Sequence, residues 1–488
     1  MLSFHLKPHS GEPLYNQIYE QIRERILNEE LPPATKLPST RSLAANLGVS
    51  RNTIDTAYYQ LQSEGYIDSA PKSGFYVCDI TPTDYRHQPE LPFAASPQSR
   101  DIDISPSAPV SASPEYLYDF DPYSIDISHF PFSVWRRLSR QVLMDDQSLF
   151  LLGDNYGDPL LRDAICSYVR MSRQVSCTPD QIIVGAGVDY LLQMLSLVFH
   201  SLHMEHITLE SPGYTQAAHI FHNNGLTISP GILDKNGLTT ASISPASSLV
   251  YVTPSHQFPM GVVMPYGRRL ELLGWAKSSP DRYIIEDDHD SEFRYRGRPI
   301  PALQGMDNLR VIYIGTFSKA IAPAIRVGYM ILPPELLTQY RLICGHYSCT
   351  VSRVDQAILT RFIRDGYFEK HVNRMRKIYR SKHDLVLECL QPLVQKYHLT
   401  LQGEHAGMHV TIRLPDTVSE TALIQHARKQ GIHLYGIHSH FLPNHIPHHP
   451  EEAVLLGYAG LTEDDIKKGI RQMTDTHIFS ASALSRSI

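Results

Sequence analysis

A chain of 488 residues is too long for one ordinary domain, and its 42% hydrophobic content is ample for packed cores. A formal net charge of -6 excludes a globally basic nucleic-acid binder, so any DNA contact must come from a few locally placed basic groups. Six cysteines with no Cys-x-x-Cys pair exclude a disulfide scaffold, and no apolar run is long enough to span a bilayer, so a cytoplasmic protein without a membrane partner is expected.

In chain order, Leu14, Ile18, Ile22 and Ile26 recur at helical spacing across residues 13–27, and Pro32-Pro33 end that helix. Ser39 or Thr40 caps a second helix carrying Leu43, Ala44 and Leu47, which Gly48 closes. Ser50 caps a third, running through Ile54, Tyr58 and Leu61 to Gly65, and helix, glycine turn, helix is the helix-turn-helix plan. Tyr66-Ile67-Asp68 and Phe75-Tyr76-Val77, around the turn Pro71-Lys72-Ser73-Gly74, read as a hairpin wing. The pattern Leu-Pro-Ser-x-Arg-x-Leu-Ala-x-x-Leu-Gly-Val-Ser-Arg-x-Thr, ending in Glu-Gly-Tyr-Ile, is similar to GntR-type winged helices. That resemblance implies that Arg51, Asn52 and Thr53 face the major groove and that Arg41 and Lys72 touch phosphates or groove edges. The plainer alternative is a small helical interaction domain with solvated arginines. The acidic Glu20, Glu24, Glu29 and Glu30 read as lying on the first helix, on a face turned away from DNA.

Residues 79–114 are rich in Pro and Ser and read as a flexible linker. Ile182-Ile183-Val184-Gly185-Ala186-Gly187-Val188 then leads from a strand into a long apolar helix, a start whose backbone N–H groups bind phosphate. Further on, Tyr283-Ile284-Ile285-Glu286-Asp287-Asp288-His289-Asp290 is an apolar strand ending in carboxylates. Val311-Ile312-Tyr313-Ile314 is a buried strand followed by Gly315-Thr316-Phe317-Ser318-Lys319-Ala320 and Arg326-Val327-Gly328-Tyr329. A lysine beside a buried strand loses hydration, so its amine becomes available for a Schiff base, and Ser318 and Arg326 could hold a phosphate close to it. A carboxylate on a neighbouring strand end can pair with a protonated ring nitrogen; together these meet the needs of pyridoxal 5'-phosphate. A surface lysine at a strand end is the bland reading, and the acidic strand end upstream weighs against it.

Strand-Asp, strand-Ser-x-Lys and Arg-x-Gly together resemble fold-type I aminotransferases. The fuller wording, Glu-Asp-Asp-x-Asp-Ser-Glu-Phe preceded by Thr-Pro-Ser-His-Gln-Phe-Pro-x-Gly, resembles the MocR-type branch of the GntR transcription regulators. The resemblance implies a multidomain chain. An N-terminal winged helix-turn-helix (α+β) at 1–78 and the linker 79–114 precede an α/β fold-type I aminotransferase-like part, with a large domain at 115–393 and a small one at 394–488. It implies pyridoxal 5'-phosphate on Lys319 as a Schiff base, Asp287 at the pyridine nitrogen and Tyr214 stacked on the ring. His256 and Gln257 fall near the ring hydroxyl, and Ser318, Arg326 and the backbones of Ala186, Gly187 and Val188 on the phosphate. His289 stands where the branch usually has a tyrosine and could still bond the ring oxygen. Leu152 and Leu455 stand where related enzymes have a phosphate-reaching tyrosine and a carboxylate-gripping arginine. His433, His438, His440, His445, His448 and His449 match no zinc spacing, so no metal is expected, and they read as a solvated loop near the cleft. A homodimer binding double-stranded operator DNA is implied. Three functions compete: a regulator sensing an amine, an amino acid or the cofactor itself; an active aminotransferase with a fused DNA-binding domain; and a DNA-binding architectural protein without cofactor. The intact lysine and aspartate and the missing arginine favour the regulator, not an enzyme.

Overall fold

The computed structural model describes residues 4, 6, 13–70, 73–79, 116–295, 301–403, 406–415, 417–442, 445–447 and 450–480. Lys72, His448, His449 and the expected linker beyond Asp79 lie outside these. The chain divides into two units, 1–109 and 110–488.

In the first unit the apolar spacing yields α1 (Leu14–Leu27), α2 (Thr40–Leu47) and α3 (Arg51–Ser63). Ser39 caps α2 by accepting from the Ser42 N–H at 3.1 Å, and Gly48 ends it at φ +63°. Ser50 caps α3 by accepting from the Thr53 N–H at 3.2 Å. Ile18, Ile22, Leu43, Ile54 and Leu61 form the core, and Tyr58 ties α3 to the start of α2 by donating to the Pro38 carbonyl at 2.9 Å. Antiparallel β1 (Ile67–Ala70) and β2 (Gly74–Val77) make the expected hairpin, with Ile67 opposite Val77. Glu29 and Glu30 are not on α1, which has ended at Leu27; Glu30 pairs with Arg25 across the following turn at 3.9 Å.

The second unit begins with β3 (Tyr118–Asp119), α4 (Phe132–Asp145) and α5 (Pro159–Arg173). Next come β4 (Ile182–Gly185), α6 (Val188–Ser201), β5 (His206–Ser211), α7 (Thr215–Asn223), β6 (Thr227–Asp234), β7 (Gly237–Leu238), β8 (Leu249–Val252), α8 (Tyr266–Lys277) and β9 (Tyr283–Asp288). β10 (Val311–Thr316), β11 (Gly328–Ile331), α9 (Pro334–Cys344), α10 (Arg353–Arg364) and α11 (Tyr367–Tyr397) complete the large layer. Its sheet has the order β4-β11-β10-β9-β8-β5-β6-β7, with β10, β9, β8, β5 and β6 mutually parallel. Alternate residues feed opposite faces: Ile183, Ile312 and Met330 pack under α6 and α9, whereas Val184, Tyr313 and Ile331 pack under α5 and α10. Strands covered on both faces explain why the sequence shows near-continuous apolar runs there.

A small antiparallel sheet follows, built from β12 (Thr400–Gln402), β13 (His409–Arg413), β15 (Tyr435–Gly436) and β16 (Ala453–Gly457). α12 (Glu420–Lys429), α13 (Glu463–Asp475) and the end of α11 cover one face of it. β14 (Ile432–His433) pairs with β3. Two expected boundaries shift. The division at 393/394 falls inside α11, which runs unbroken for 31 residues because its apolar stripe serves both layers in turn. Residues 118–120 belong to the small layer, where Phe120 is fully buried among Val410, Leu456 and Ile470. Among the described residues no helix is long and apolar enough to cross a membrane.

Phe120 fastens the start of this unit to the small layer. Phe120→Ala should therefore lose about 3–5 kcal/mol of stability, read as a lower urea midpoint of the large unit; an unchanged midpoint would contradict the packing.

Candidate functional site

Six strands of the large sheet, β4 among them, deliver their carboxyl ends to one edge, the crevice where open α/β sheets bind ligands. A cavity of about 220 Å³ opens there, lined by Lys319, Asp287, His289, Tyr214, Arg326 and Tyr123, among others. The register sets the chemistry: Asp287 lies beside Ile314 across the parallel β9–β10 pair, so the carboxylate and the lysine five residues further on reach the same space. The turn carrying Lys319 is closed by Thr316, whose Oγ1 accepts from the Ser318 N–H at 3.1 Å and donates to the Ser318 hydroxyl at 2.9 Å. Burial lowers the Lys319 pKa from 10.5 against the pull of Asp290, Asp287 and Asp121, and its Nζ sits 5.7 Å from the Phe258 ring centroid. Burial raises the Asp287 carboxyl. Its Oδ2 accepts from the Tyr251 hydroxyl, while Oδ1 is buried with no hydrogen-bond partner among the described residues.

At the other end of the cavity α6 begins at Gly187. This residue has φ +89°, and a Cβ there would come within 2.8 Å of Arg326 Nη2, so glycine is required for the guanidinium to lie against the turn. The three expected backbone donors are not equally free. The Ala186 N–H donates to Thr350 Oγ1 at 3.0 Å and the Gly187 N–H to the Gly185 carbonyl at 2.8 Å, which takes both out of a phosphate site. Val188 lines the cavity, and the first-turn N–H groups of α6 lack intrahelical partners. Arg326 Nη2 lies 3.3 Å from Asp189 Oδ2 and 3.4 Å from the Ala186 carbonyl.

His256 and Gln257 do not line the cavity. The Gln257 amide is used up inside the protein, donating to the Pro212 and Phe258 carbonyls at 3.0 and 2.7 Å and accepting from the Met260 N–H at 3.0 Å. His256 is buried with Nδ1 2.9 Å from Asp290 Oδ2, and His289 Nε2 lies 3.4 Å from Asp290 Oδ1. Burial alone would raise the Asp290 carboxyl, but the two imidazoles hold it well below the usual range. These three side chains also have metal-ligand spacing, within 4.8 Å of one another. Of the described C-terminal histidines, His445 is exposed as expected, whereas His433, His438 and His440 are drawn into the small layer. His440 is buried, with its pKa pushed down to about 4 by desolvation. Its Nδ1 lies 3.1 Å from the Gly436 carbonyl, which leaves Nε2 to accept from the Tyr123 hydroxyl at 3.1 Å. His438 sits between Glu420 and Glu452, 3.7 Å from each.

Sequence reasoning missed Tyr123, Tyr251 and Phe258. Tyr251 was the most accessible of these, since β8 pairs with β9 and carries it beside the acidic strand end. Tyr123 carried no local signal beyond an aromatic residue where order resumes.

In the first unit Arg41, Arg51 and Asn52 are exposed, and Thr53 is half-buried with its hydroxyl 2.8 Å from Ser50 Oγ. Arg51 pairs with Asp55 at 3.4 Å. Tyr59, also unforeseen, is 74% exposed on the Asn52–Thr56 face of α3.

The large site fits pyridoxal 5'-phosphate on three points: a desolvated amine, an orphaned buried carboxylate oxygen, and a guanidinium beside a helix start that no Cβ obstructs. Comparison with known proteins agrees. Residues 122–473 match the model for aminotransferase class I and II, and residues 14–77 match bacterial regulatory proteins of the gntR family. The HTH-type transcriptional regulator YdeL of Bacillus subtilis is 39% identical over 465 residues, 94% of this chain and 96% of the relative. The probable rhizopine catabolism regulatory protein MocR of Rhizobium meliloti is 34% identical, over 94% of this chain and 93% of its own. The pyridoxine biosynthesis transcriptional regulator PdxR of Corynebacterium glutamicum is 31% identical, over 83% and 84%. In fold, the chain is similar to the multiple substrate aminotransferase of Thermococcus profundus, with a TM-score of 0.66 and 23% identity over 75% of this chain and 92% of that one.

The neutral amine is the nucleophile, and burial favours it. Trace acetylation followed by mass spectrometry should give Lys319 a reactivity that rises with pH to a midpoint below the ordinary 10.5. A midpoint at or above that value would contradict the desolvated geometry.

Proposed function

The chain belongs to the MocR-type branch of the GntR transcription regulators, and from that premise we propose that its large unit holds pyridoxal 5'-phosphate on Lys319 and couples occupancy of that site to operator binding. The carrying observation is that the Lys319 amine and the unpartnered Asp287 oxygen face one cavity from adjacent strand ends. Bound there, the cofactor supplies a carbonyl electrophile and a ring that acts as an electron sink. Asp287 would hold the ring nitrogen's proton, with Tyr251 fixing its other oxygen. Tyr214 would cover the ring, His289 would face the ring oxygen, and Ser318, Arg326 and the start of α6 would take the phosphate. His256 acts one step back, through Asp290, on the orientation of His289.

The effector is a small amine or amino acid exchanging onto the cofactor, or the cofactor itself. The relative whose name ties it to pyridoxine biosynthesis supports the second version. An active aminotransferase is the competing reading. Leu455, fully buried in the middle of β16, favours the regulator, because an apolar side chain cannot grip a carboxylate. The domain assignment follows the two units, with the winged helix as the reading head for double-stranded DNA, and a cytoplasmic two-fold homodimer supplies two such heads.

Two experiments test this. Lys319→Ala should lose the borohydride-reducible cofactor adduct and the effect of added cofactor on operator affinity; an adduct that persists, or an operator response that survives, defeats the reading. Arg51→Ala should weaken binding to a duplex selected from a random pool by about 1–3 kcal/mol and relax preference at one base pair. Normal binding by this variant in fluorescence anisotropy would remove α3 from the DNA.

A further inference from the structure

We propose that Asp189 is an internal stand-in for the ligand's phosphate, so that binding a phosphorylated ligand requires this carboxylate to be displaced. The proposal rests on the reading of this cavity as a pyridoxal 5'-phosphate site and names a residue that sets the strength of that binding.

Asp189 uses both of its oxygens on groups that would otherwise meet an incoming anion. Oδ2 lies 3.3 Å from Arg326 Nη2, and Oδ1 accepts from the Tyr214 hydroxyl at 3.3 Å. The residue also sits in the first turn of the 14-residue α6, where the helix field and the unpaired N–H groups favour negative charge. Guanidinium, hydroxyl and helix start therefore form an anion site that the chain fills with its own carboxylate.

The charge balance makes this consequential. Among the described residues lining the cavity, the lysine and arginine side chains are Lys319 and Arg326. Lys319 lies at the strand-end side of the cavity with Asp287, which leaves Arg326 for a phosphate. Arg326 is already neutralised by Asp189, so a phosphate dianion would meet a cradle with no net side-chain charge. The Asp189 side chain keeps 37% of its exposure, so it can swing into solvent when a stronger anion arrives. Phosphate binding then costs an ion pair that an asparagine at this position would not have made. A weakened phosphate site suits a sensor, because its occupancy follows supply rather than staying saturated.

The test is a titration of cofactor-free full-length protein with pyridoxal 5'-phosphate and, separately, with unphosphorylated pyridoxal, followed by visible absorption. Asp189→Asn keeps the size and the acceptor for Tyr214 and removes the charge. It should tighten pyridoxal 5'-phosphate roughly three- to tenfold, the range expected of an ion pair with this much solvent around it, and leave pyridoxal unchanged. Asp189→Ala should move in the same direction, since charge and not shape is the cause. Unchanged or weaker phosphate-ester binding in both variants overturns the proposal, as does an equal gain for pyridoxal, which would place the effect on the ring or the amine. If no form takes up pyridoxal 5'-phosphate at all, the cofactor reading fails first and this proposal falls with it.

Discussion

Two opposite charges held out of water at the ends of neighbouring parallel strands are what the rest of the large unit depends on. Desolvation works against both, lowering the pKa of Lys319 and raising that of Asp287, so each is poised to exchange its charge with a partner. Their juxtaposition follows from the parallel register of β9 and β10, which sets Asp287 beside Ile314. Around this pair the protein places groups that keep each one in shape. Tyr251 takes one oxygen of Asp287, the Phe258 ring faces the amine, and Asp290 is kept ionised by two imidazoles so that His289 has a fixed neighbour.

The features fixed by local rules were the legible ones. Ser39, Gly48 and Ser50 mark helix ends because capping is decided within a few residues, and the winged helix emerged from them almost intact. Asp287 and Lys319 were legible for a related reason: an apolar run that stops at a charged residue announces a strand end, and parallel strands end on one edge. Contacts that close over long separations left no such trace. Gln257 carries the same motif in the sequence whether its amide faces a ligand or Pro212, and the fold turns it to Pro212. His440 read as solvated because nothing near it in the chain reveals that Tyr123, 317 positions away, will take its Nε2. The small-domain boundary failed for a different cause, since a helix that serves two cores has no break to read.

Leu455 is packed inside the small sheet and is not among the residues lining the cavity. It pairs across the small sheet with Thr411, whose hydroxyl donates to the Pro259 carbonyl at 2.8 Å, so this face of the sheet looks toward the loop carrying Phe258. An arginine at that position would bring a charge into a buried surface and need a carboxylate to justify it. Leucine instead contributes packing, and the two layers are joined by the Thr411 and His409 bonds to Pro259, neither of which a substrate must complete.

The chain path also ties one wall of the cavity to the small layer. Tyr123, a wall of the cavity, lies only three residues beyond Phe120, which is locked into the small layer, and seven beyond the first described residue after 79. The first described segment of the large unit is therefore itself part of the cavity wall. Its contacts run to both layers, by the Gly457 N–H to the Phe120 carbonyl at 2.9 Å and by Tyr123 to His440, whose own carbonyl receives the Gly213 N–H at 2.8 Å beside Tyr214. A change in how Tyr123 sits would act on its bond to His440 and, through the His440 carbonyl, on the turn at Gly213 that precedes Tyr214.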